Sequence, residues 1–426
     1  MNILLLEKFF KPSDIGPVLN AFFDAIKNDS VNIYLFTSTD SKDFIPNHVK
    51  ARLAGIQYFD HYYTTPLIEL AAINLNDTFP FERVIALREF DLIRAANIRT
   101  YLKIPGPNSK QIEIFRDKYL MKCKALSSGY SLKPFAAIDN SIDLLNFIKK
   151  ISYPIIVKPR KKGGGLGFQH LRDDNELEKY LNMLAKTTDV DQNLDLIAEK
   201  YLDMPMMHID GVFHKGKPIA IIASEYVGLK AHHNFSAEAY YATHYSGSLT
   251  LDPSSAIAQT LCSYTEMMLN HFDSISTYGF HVELWVDDNN NNIFLNEIAA
   301  RMGGGYVYNL TNLAFELPLE KYLFKYLCLE DETIFQPLLT GHVSCVFSGK
   351  IPTNAGKIIS IPKELNQSSP DFYRCDLQNG DIVNTPTACY DNMGFIATRG
   401  SSPSECLSKF DMALNEFREK TILESA

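Results

Sequence analysis

The chain has 426 residues, of which 46% are apolar, and a formal net charge of -9. This length suits two to four domains, and the apolar content supports sizeable cores. Lysines and arginines are scattered rather than clustered, which argues against a nucleic-acid partner and against an anionic membrane. A few cations inside a cleft would still suffice for a phosphorylated substrate.

Targeting signals are not expected. The N-terminal apolar run is too short for a signal peptide. The sequence has no run of about 18 apolar residues, so a membrane-spanning helix is not expected. The seven cysteines are scattered and lack a CxxC pair, which is typical of buried thiols in a reducing compartment. We therefore expect a cytoplasmic protein with small-molecule substrates, and we allow for a homodimer.

The first hundred residues alternate between short apolar strands and amphipathic helices. Two strands, NILLL and VNIYLFT, are separated by the predicted helix PVLNAFFDAIKND. Two further strands, in GIQYFDHYY and RVIALRE, flank a helix near 66–75. This alternation predicts a parallel sheet covered by helices, an N-terminal α/β domain of βαβ type over 1–108. The prolines and glycine of IPGPNS mark its end.

The middle of the chain is predicted to be mixed α and β. We expect helices at 109–127, 141–150, 174–186 and 254–272. Strands are expected in YPIIVKP and LIAEKYL, in a hairpin with GK at its turn, and in the pair GFHVELWV and NIFLNEIAAR. The last segment, 336–426, is β-rich with a final helix at 403–419, and we assign it to a third domain.

Two glutamates lie on the last strand pair of the middle region. If the hairpin is symmetric about DDNNNN, Glu283 lies opposite Glu297, with their Cβ atoms roughly 5 Å apart. Like charges in this position repel, so a cation between them is one explanation, and oxygen ligands suit Mg²⁺ or Mn²⁺. The alternative is a pair of solvated carboxylates on an exposed sheet face. If the strand continues to Arg301, the Arg301 side chain points to the same face of the sheet as Glu297.

A glycine-rich stretch with cations, RKKGGGLGF, follows the buried strand that ends near Lys158. Glycine backbone N–H groups beside cations can cradle phosphates. The spacing matches neither a P-loop nor a Rossmann dinucleotide motif, and an isolated glycine-rich turn is more often only a turn. Lys118 precedes it on RDKYLMK, where it is equally consistent with a solvated helix charge.

The ordered set of motifs resembles the ATP-grasp superfamily. It comprises Lys118, Lys158 with GGGLG, Glu199 on IAEKYL, Glu283 and Glu297, and it spans roughly 80–310. EIAARMGGG and the β-rich end resemble the carboxylate–amine ligase branch, which includes the L-amino acid (dipeptide) ligases. The resemblance implies an ATP-grasp domain over 109–335, with a lid subdomain at about 109–197 and a large subdomain at about 198–335.

The resemblance also implies which residues bind the nucleotide. Lys118 and Lys158 would contact the phosphates of ATP. The glycine-rich loop would be a flexible lid over the triphosphate, and the strand after it would be the hinge that binds adenine. The residues concerned are Gly163, Gly164 and Gly165 in the lid, and Glu199, Lys200, Tyr201 and Leu202 in the hinge, with main-chain contacts at Lys200 and Leu202.

A second implied group surrounds the reacting atoms. Glu283 and Glu297 would hold Mg²⁺ ions that bridge the phosphates. Arg301 would bind the substrate carboxylate and stabilise the anionic intermediate, and Lys158 would oppose charge during transfer. Met302, Gly303 and Gly304 would line the substrate pocket through their backbone. His281 is a candidate substrate contact and is equally consistent with a structural histidine.

The chain departs from the family pattern at three places. A glutamate that often meets the ribose is replaced near Met206, where His208 or Asp210 are candidate substitutes. Ala299 stands where many members have a metal-binding asparagine, as is common in dipeptide ligases. A tryptophan that restricts the substrate pocket in some of those ligases is replaced by Gly305 or Tyr306.

The resemblance implies an ATP-dependent ligase that forms an amide bond, with a dipeptide as the expected product, through an acyl phosphate. Two alternatives stay open: an ATP-grasp carboxylase or other-acceptor ligase, and a nucleotide-binding regulatory protein without chemistry. A polar and aromatic segment that contains His232, His233 and His244 is predicted to be a loop near the substrate, and its spacing is not a recognised zinc pattern.

Overall fold

A computed structural model of the chain describes most of its residues, and the statements below refer to these. The described ranges are 1–10, 16–26, 30–186, 193–227, 247–272, 277–287, 292–304, 307–329, 345–351, 355–384 and 392–424. No helix within these ranges is both long enough and apolar enough to cross a membrane. The six cysteines within them are free thiols.

The N-terminal region is a four-stranded parallel sheet with the strand order β3-β2-β1-β4. Its strands are β1 (Asn2–Leu6), β2 (Asn32–Ser38), β3 (Gly55–Phe59) and β4 (Arg83–Ala86). Its helices are α1 (Ala21–Ala25), which continues a π-helical turn at Gly16–Asn20, α2 (Asn47–Lys50), α3 (Leu67–Thr78) and α4 (Leu92–Leu102). The predicted parallel α/β fold is confirmed. The last residues of the predicted first helix, 27–29, lie outside the described residues.

A second, antiparallel sheet carries the glycine-rich loop. Its strand order is β5-β8-β6-β7, and helices cover its apolar face. The strands are β5 (Phe135–Ile138), β6 (Ile155–Pro159), β7 (Gln169–Leu171) and β8 (Leu196–Lys200). The covering helices are α7 (Ser141–Ile151) and α8 (Asp174–Leu184). The glycine-rich loop joins β6 to β7 at the open edge of this sheet.

The region before this sheet differs from the prediction. The charged segment 109–127 is not one helix but two, α5 (Ser109–Arg116) and α6 (Lys118–Ser127). Asp117 interrupts them with an extended backbone, φ -97° and ψ 106°, and its carboxylate caps α6 by accepting from the N–H groups of Tyr119 and Leu120. The same carboxylate accepts two hydrogen bonds from Arg160, at 3.0 and 2.6 Å. A long-range ion pair therefore makes the break, which helical periodicity does not reveal.

The third sheet is the largest and has eight strands in the order β13-β12-β9-β10-β11-β14-β18-β16. The strands before residue 336 are β9 (Met206–His214), β10 (Lys217–Val227), β11 (Gly247–Thr250), β12 (Thr277–Val286) and β13 (Ile293–Ala299). The strands after it are β14 (Cys345–Ile351), β16 (Phe372–Cys375) and β18 (Gly394–Gly400). The β-rich C-terminal segment thus continues this sheet across β11 and β14.

Helices and a small sheet complete the fold. The helices are α9 (Ala256–Phe272), α10 (Val307–Phe315), α11 (Leu319–Leu329) and α12 (Pro403–Lys420). A three-stranded sheet joins β15 (Gly356–Ser360) to β17 (Ile382–Val383) and β19 (Ile422–Glu424). On β12, Val282 and Leu284 pack in one apolar core with Leu261 and Met268 of α9. The opposite face of β12 is therefore free to carry polar side chains.

The break at Asp117 generates a stability prediction. Asp117→Ala removes the cap of α6 and leaves Arg160 without its main partner, so we expect the free energy of unfolding to fall by about 2–3 kcal/mol. Urea unfolding followed by circular dichroism measures it. The matched control is Asp173→Ala, because Asp173 is exposed and caps α8 through Glu176 N–H at 2.9 Å. A cost of about 1 kcal/mol is expected there. Equal losses in the two variants would contradict a structural role for the Arg160 pair.

Candidate functional site

The two glutamates predicted to face each other do so. Glu283 on β12 pairs with Glu297 on β13, and Val282 pairs with Ile298, as symmetry about the turn predicts. The next pair is Leu284 with Leu295, so Asn296 is an extra residue that forms a β-bulge. Asn296 Nδ2 donates to Glu283 Oε2 at 2.8 Å. The bulge thus brings an amide beside the two carboxylates, which the sequence pattern does not predict.

Each of these glutamates has a partner, so they are not a solvated pair on an open surface. Glu297 Oε1 lies 3.3 Å from Lys118 Nζ, and Tyr226 donates its hydroxyl to Glu283 Oε1 at 3.1 Å. Burial acts to raise the pKa of Glu283, but His281 and Asn296 lower it to about 2. About a fifth of the Glu283 side chain is exposed, and about a quarter of the Glu297 side chain. Two carboxylates therefore meet at a partly exposed edge, a donor set that suits a hard divalent cation.

Three buried lysines surround a single buried glutamate next to this edge. Glu199 on β8 lies 2.9 Å from Lys122, 3.1 Å from Lys133 and 3.2 Å from Lys158. All four residues are less than a tenth exposed. Within these four residues, three cations and one anion leave an excess of two positive charges in a buried site. We call these four residues the lysine cluster.

The lysine cluster perturbs the acidity of its members. Burial lowers the pKa of Lys122, and it lowers the pKa of Lys133 to about 8. Burial also acts on Lys158, but Glu199 and Glu297 raise the pKa of Lys158 on balance. Burial acts to raise the pKa of Glu199, and the three lysines more than offset it, so that carboxyl group stays ionised. An anion that enters the cluster would relieve the repulsion between the lysines.

Glu199, on the predicted hinge strand, directs its side chain to the three lysines of the cluster. The N–H groups of Lys200 and Tyr201 are already bonded, to the carbonyl groups of Pro134 and Pro154. No hydrogen bond of the Leu202 N–H group occurs within the described ranges. Leu202 is therefore the hinge residue with a main-chain donor to offer.

The glycine-rich loop is anchored at its start and open at its centre. Lys118 Nζ donates to the carbonyl oxygen of Lys162 at 2.6 Å, and Arg116 Nη2 to that of Lys161 at 2.7 Å. Gly164 and Gly165 are exposed, with φ of 67° and 74°, a region that favours glycine. Lys118 thereby joins the loop to Glu297.

Arg301 does not extend the strand of Glu297, because β13 ends at Ala299. The assumption that both side chains share a strand face is therefore wrong. Arg301 Nε donates to Glu89 Oε2, and Arg116 Nη1 donates to Glu89 Oε1. Burial acts to raise the pKa of Glu89, but Arg301 and Arg116 lower it to about 2. Burial acts to lower the pKa of Arg301, but Glu89 and then Glu297 raise it. Arg301 therefore remains near the carboxylate pair.

His281 belongs to a buried network behind Glu283. Its Nδ1 lies 2.8 Å from Asp210 Oδ1, and His208 Nδ1 lies 2.5 Å from Asp210 Oδ2. Burial acts to lower the pKa of His281, but Asp210 raises it to about 10. A Cβ at Gly303 would lie 2.4 Å from Asp210 Oδ1, so only glycine fits against this network. His281 is thus mainly held by protein groups, with Nε2 turned toward Glu283 and Tyr226.

Several of the predicted site residues lie near the carboxylate pair, whereas others lie outside the described residues. Lys158 and Arg301 both lie close enough to Glu283 and Glu297 for these carboxylates to raise their pKa values. Met302 accepts from Arg301 Nη1 at 2.8 Å, and Gly304 has open space beside its Cα. The residues His232, His233, His244, Gly305 and Tyr306 lie outside the described residues.

Sequence reasoning missed three charged residues of the site. Lys122 follows Lys118 by one helical turn, a spacing that offers a usable signal. Lys133 lies in an irregular segment before Pro134, and its Nζ lies 5.3 Å from the centre of the Trp285 ring. Glu89 follows strand β4, far from every motif in the chain. No local sequence pattern predicts that Lys133 or Glu89 belongs to the site.

Known proteins resemble this chain in family, sequence and fold. Residues 135–304 match the family described as D-ala D-ala ligase C-terminus. The L-arginine-specific L-amino acid ligase of Bacillus subtilis is 23% identical over 330 residues, which cover 75% of this chain and 73% of that protein.

Two solved structures share the fold along nearly the whole chain. An L-amino acid ligase from Bacillus licheniformis has a TM-score of 0.74 and 17% identity, covering 100% of this chain and 98% of that one. The biotin carboxylase domain of the Hydrogenobacter thermophilus 2-oxoglutarate carboxylase, a complex with MgADP and bicarbonate, has a TM-score of 0.69 and 15% identity, covering 99% and 90%. The segment 135–304 thus matches that ligase family, and the chain as a whole shares the ATP-grasp fold of these enzymes.

Proposed function

We propose that the chain is an ATP-dependent ligase that joins a carboxylate to an amine, with a dipeptide as its product. The observation that carries this proposal is the lysine cluster beside the Glu283–Glu297 pair. The lysine cluster carries excess positive charge, which favours binding of an anion, and two facing carboxylates favour binding of a cation. A triphosphate with its divalent metal ion would supply both.

The residues present fit the metal ion that this proposal needs. Glu283 and Glu297 offer carboxylate oxygens at a partly exposed edge, and Asn296 adds an amide group. These ligands suit Mg²⁺, which keeps several waters and shares phosphate oxygens. When bound, Mg²⁺ neutralises charge on the phosphates as a Lewis acid.

The proposed reaction balances in two steps. A carboxylate oxygen of the first substrate attacks the γ-phosphorus, the bond from phosphorus to the ADP oxygen breaks, and an acyl phosphate forms. The neutral nitrogen of the second substrate then attacks the acyl carbon, the carbon–oxygen bond to phosphate breaks, and a proton leaves to solvent. In this scheme Lys158 and Lys118 hold phosphate oxygens, and Arg301 holds the carboxylate. The glycine-rich loop excludes water from the acyl phosphate.

The dipeptide product is proposed from the relatives. Both an L-arginine-specific and a Bacillus licheniformis L-amino acid ligase resemble the chain over most of its length. The biotin carboxylase domain shares the fold as well, so a bicarbonate-dependent carboxylase is the alternative reaction. A nucleotide-binding regulator is the alternative without chemistry.

ADP release distinguishes these functions. With MgATP, we expect at least tenfold faster ADP release when two amino acids are added than when none is added, because both are consumed in the reaction. A coupled assay over pairs of the twenty amino acids measures the rate, and mass spectrometry identifies the product as the sum of both minus water. Stimulation by bicarbonate instead would indicate the carboxylase. Tight ATP binding without stimulation by any substrate would indicate the regulator.

Glu297→Gln tests the proposed metal ligand. We expect turnover to fall at least 100-fold, because a Mg²⁺ ion held by Glu283 and Glu297 would lose an anionic ligand. The free energy of unfolding should change by less than about 1 kcal/mol, since the loss of the Lys118 pair is offset by relief of repulsion from Glu283. Calorimetric titration of ATP with and without MgCl₂ is the direct readout. Wild-type protein should gain affinity with Mg²⁺ and the variant should not. The assignment is wrong if both gain equally.

Lys133→Met tests the excess charge of the lysine cluster. Lys122 and Lys158 remain to neutralise Glu199, so we expect the free energy of unfolding at pH 7 to stay constant or to rise by about 1 kcal/mol. ATP affinity should fall about tenfold, because one positive charge is removed from the anion site. Urea unfolding and calorimetry measure the two effects. The control, Glu199→Gln, leaves three buried cations without an anion and should cost about 3–5 kcal/mol.

The same variant carries a pH signature. The pKa of Lys133 falls from 10.5 to about 8 on folding, so between these values the unfolded chain binds more protons. Stability of the wild type therefore rises with pH across this range relative to Lys133→Met, by about 1 kcal/mol between pH 7 and pH 9. A flat difference between the two proteins would contradict the burial of a charged Lys133.

A further inference from the structure

One carboxylate of the N-terminal sheet reaches the proposed substrate arginine. Glu89 follows β4, and the sheet order β3-β2-β1-β4 reverses direction between β1 and β4. The crevice outside the carboxyl ends of strands at such a reversal is where open parallel sheets bind ligands. Arg301 reaches Glu89 from the segment that follows β13.

The Glu89 carboxylate can accept further hydrogen bonds beyond those in the structure. Its two oxygens receive one hydrogen bond each, from Arg301 and Arg116, whereas a carboxylate has about four acceptor positions. Arg301 uses Nε on Glu89 and Nη1 on the carbonyl of Met302. Its Nη2 has no acceptor anywhere in the described ranges, and 21% of its side chain is exposed. A guanidinium donor and a carboxylate acceptor therefore stand side by side with hydrogen-bonding capacity left.

An α-amino acid presents the complementary pair of charges. Its carboxylate and its ammonium group sit on one carbon, so a receptor needs a cation and an anion next to each other. A ligand with a carboxylate alone would take Arg301 but would meet repulsion from Glu89, which the low pKa of that residue keeps ionised at neutral pH. The Glu89–Arg301 pair thus distinguishes the two kinds of acid.

We propose that Glu89 binds the α-ammonium group of the carboxylate substrate held by Arg301, so that the N-terminal sheet selects α-amino acids for activation. This inference rests on the proposed ligase function. The competing explanation is that Glu89 is only a counterion that orients Arg301 and, through Arg116, the start of the glycine-rich loop. A counterion affects all carboxylate substrates alike, whereas an ammonium receptor affects only those with an amino group.

The test compares L-alanine with propionate, which differ in the α-amino group alone. L-alaninamide serves as the amine in both reactions because it lacks a free carboxylate. We expect wild-type kcat/KM for ADP release to favour L-alanine at least 100-fold. Glu89→Gln should reduce this ratio tenfold or more, and Glu89→Asp, which keeps the charge, should retain most of it. The control is Glu69→Gln, which changes another glutamate–arginine pair of the N-terminal region and should leave the ratio unchanged.

Binding measured by calorimetry, with a non-hydrolysable ATP analogue and Mg²⁺, separates this inference from the proposed function. If ligation proceeds but the L-alanine to propionate ratio is the same in wild type and Glu89→Gln, Glu89 is a counterion and the inference fails alone. If no substrate releases ADP, the ligase function fails. A Glu89-dependent preference for binding L-alanine would then still support the ammonium site, and equal binding of both acids would refute it. A thermal midpoint and an ATP-analogue affinity near wild type show that Glu89→Gln folds.

Discussion

The site is organised around the desolvation of Glu199. A buried carboxylate without partners costs several kcal/mol, so Glu199 requires the three lysines that come from separate parts of the chain. Lys122 also donates to the carbonyl oxygens of Leu295 and Asn296 on β13. The lysine cluster therefore links the sheet β5-β8-β6-β7 and α6 to the strand that carries Glu297. Glu297 and Glu283 offset part of its excess positive charge, and a bound anion would offset more.

Much of the fold and of the carboxylate pair could be predicted from the sequence, because short-range periodicity encodes them. Alternating apolar residues on β12 identify Val282 and Leu284 as core, and the same alternation sends Glu283 to the other face. Symmetry about the turn then gives the partner Glu297. The bulge at Asn296 escapes this reasoning, because an extra residue leaves no mark in an alternating pattern.

Interactions between distant segments could not be predicted in this way. The helix break at Asp117 depends on Arg160, which comes 43 residues later, and the pairing of Arg301 with Glu89 spans 212 residues. In both cases the sequence does not show which distant residue pairs with the charge, so the charged residue cannot be told from an ordinary surface residue. The family resemblance indicates Arg301 but not Glu89, and it does not indicate the contacts of Glu199 with the three lysines.

The arrangement of charged residues in the site bears on where each substrate group would lie. The lysines around Glu199 are followed by the Lys118–Glu297 pair, and then by Arg301 and Glu89. Under the proposed function, phosphate groups occupy the positive end, and the carboxylate lies at Arg301, with the metal-binding glutamates between them. Each anion that enters is then matched to a cation that the protein has already desolvated, so little reorganisation is needed during phosphoryl transfer. Lys118 contacts both Glu297 and the glycine-rich loop, so under the proposed function it would couple the position of that loop to the charge at the metal site.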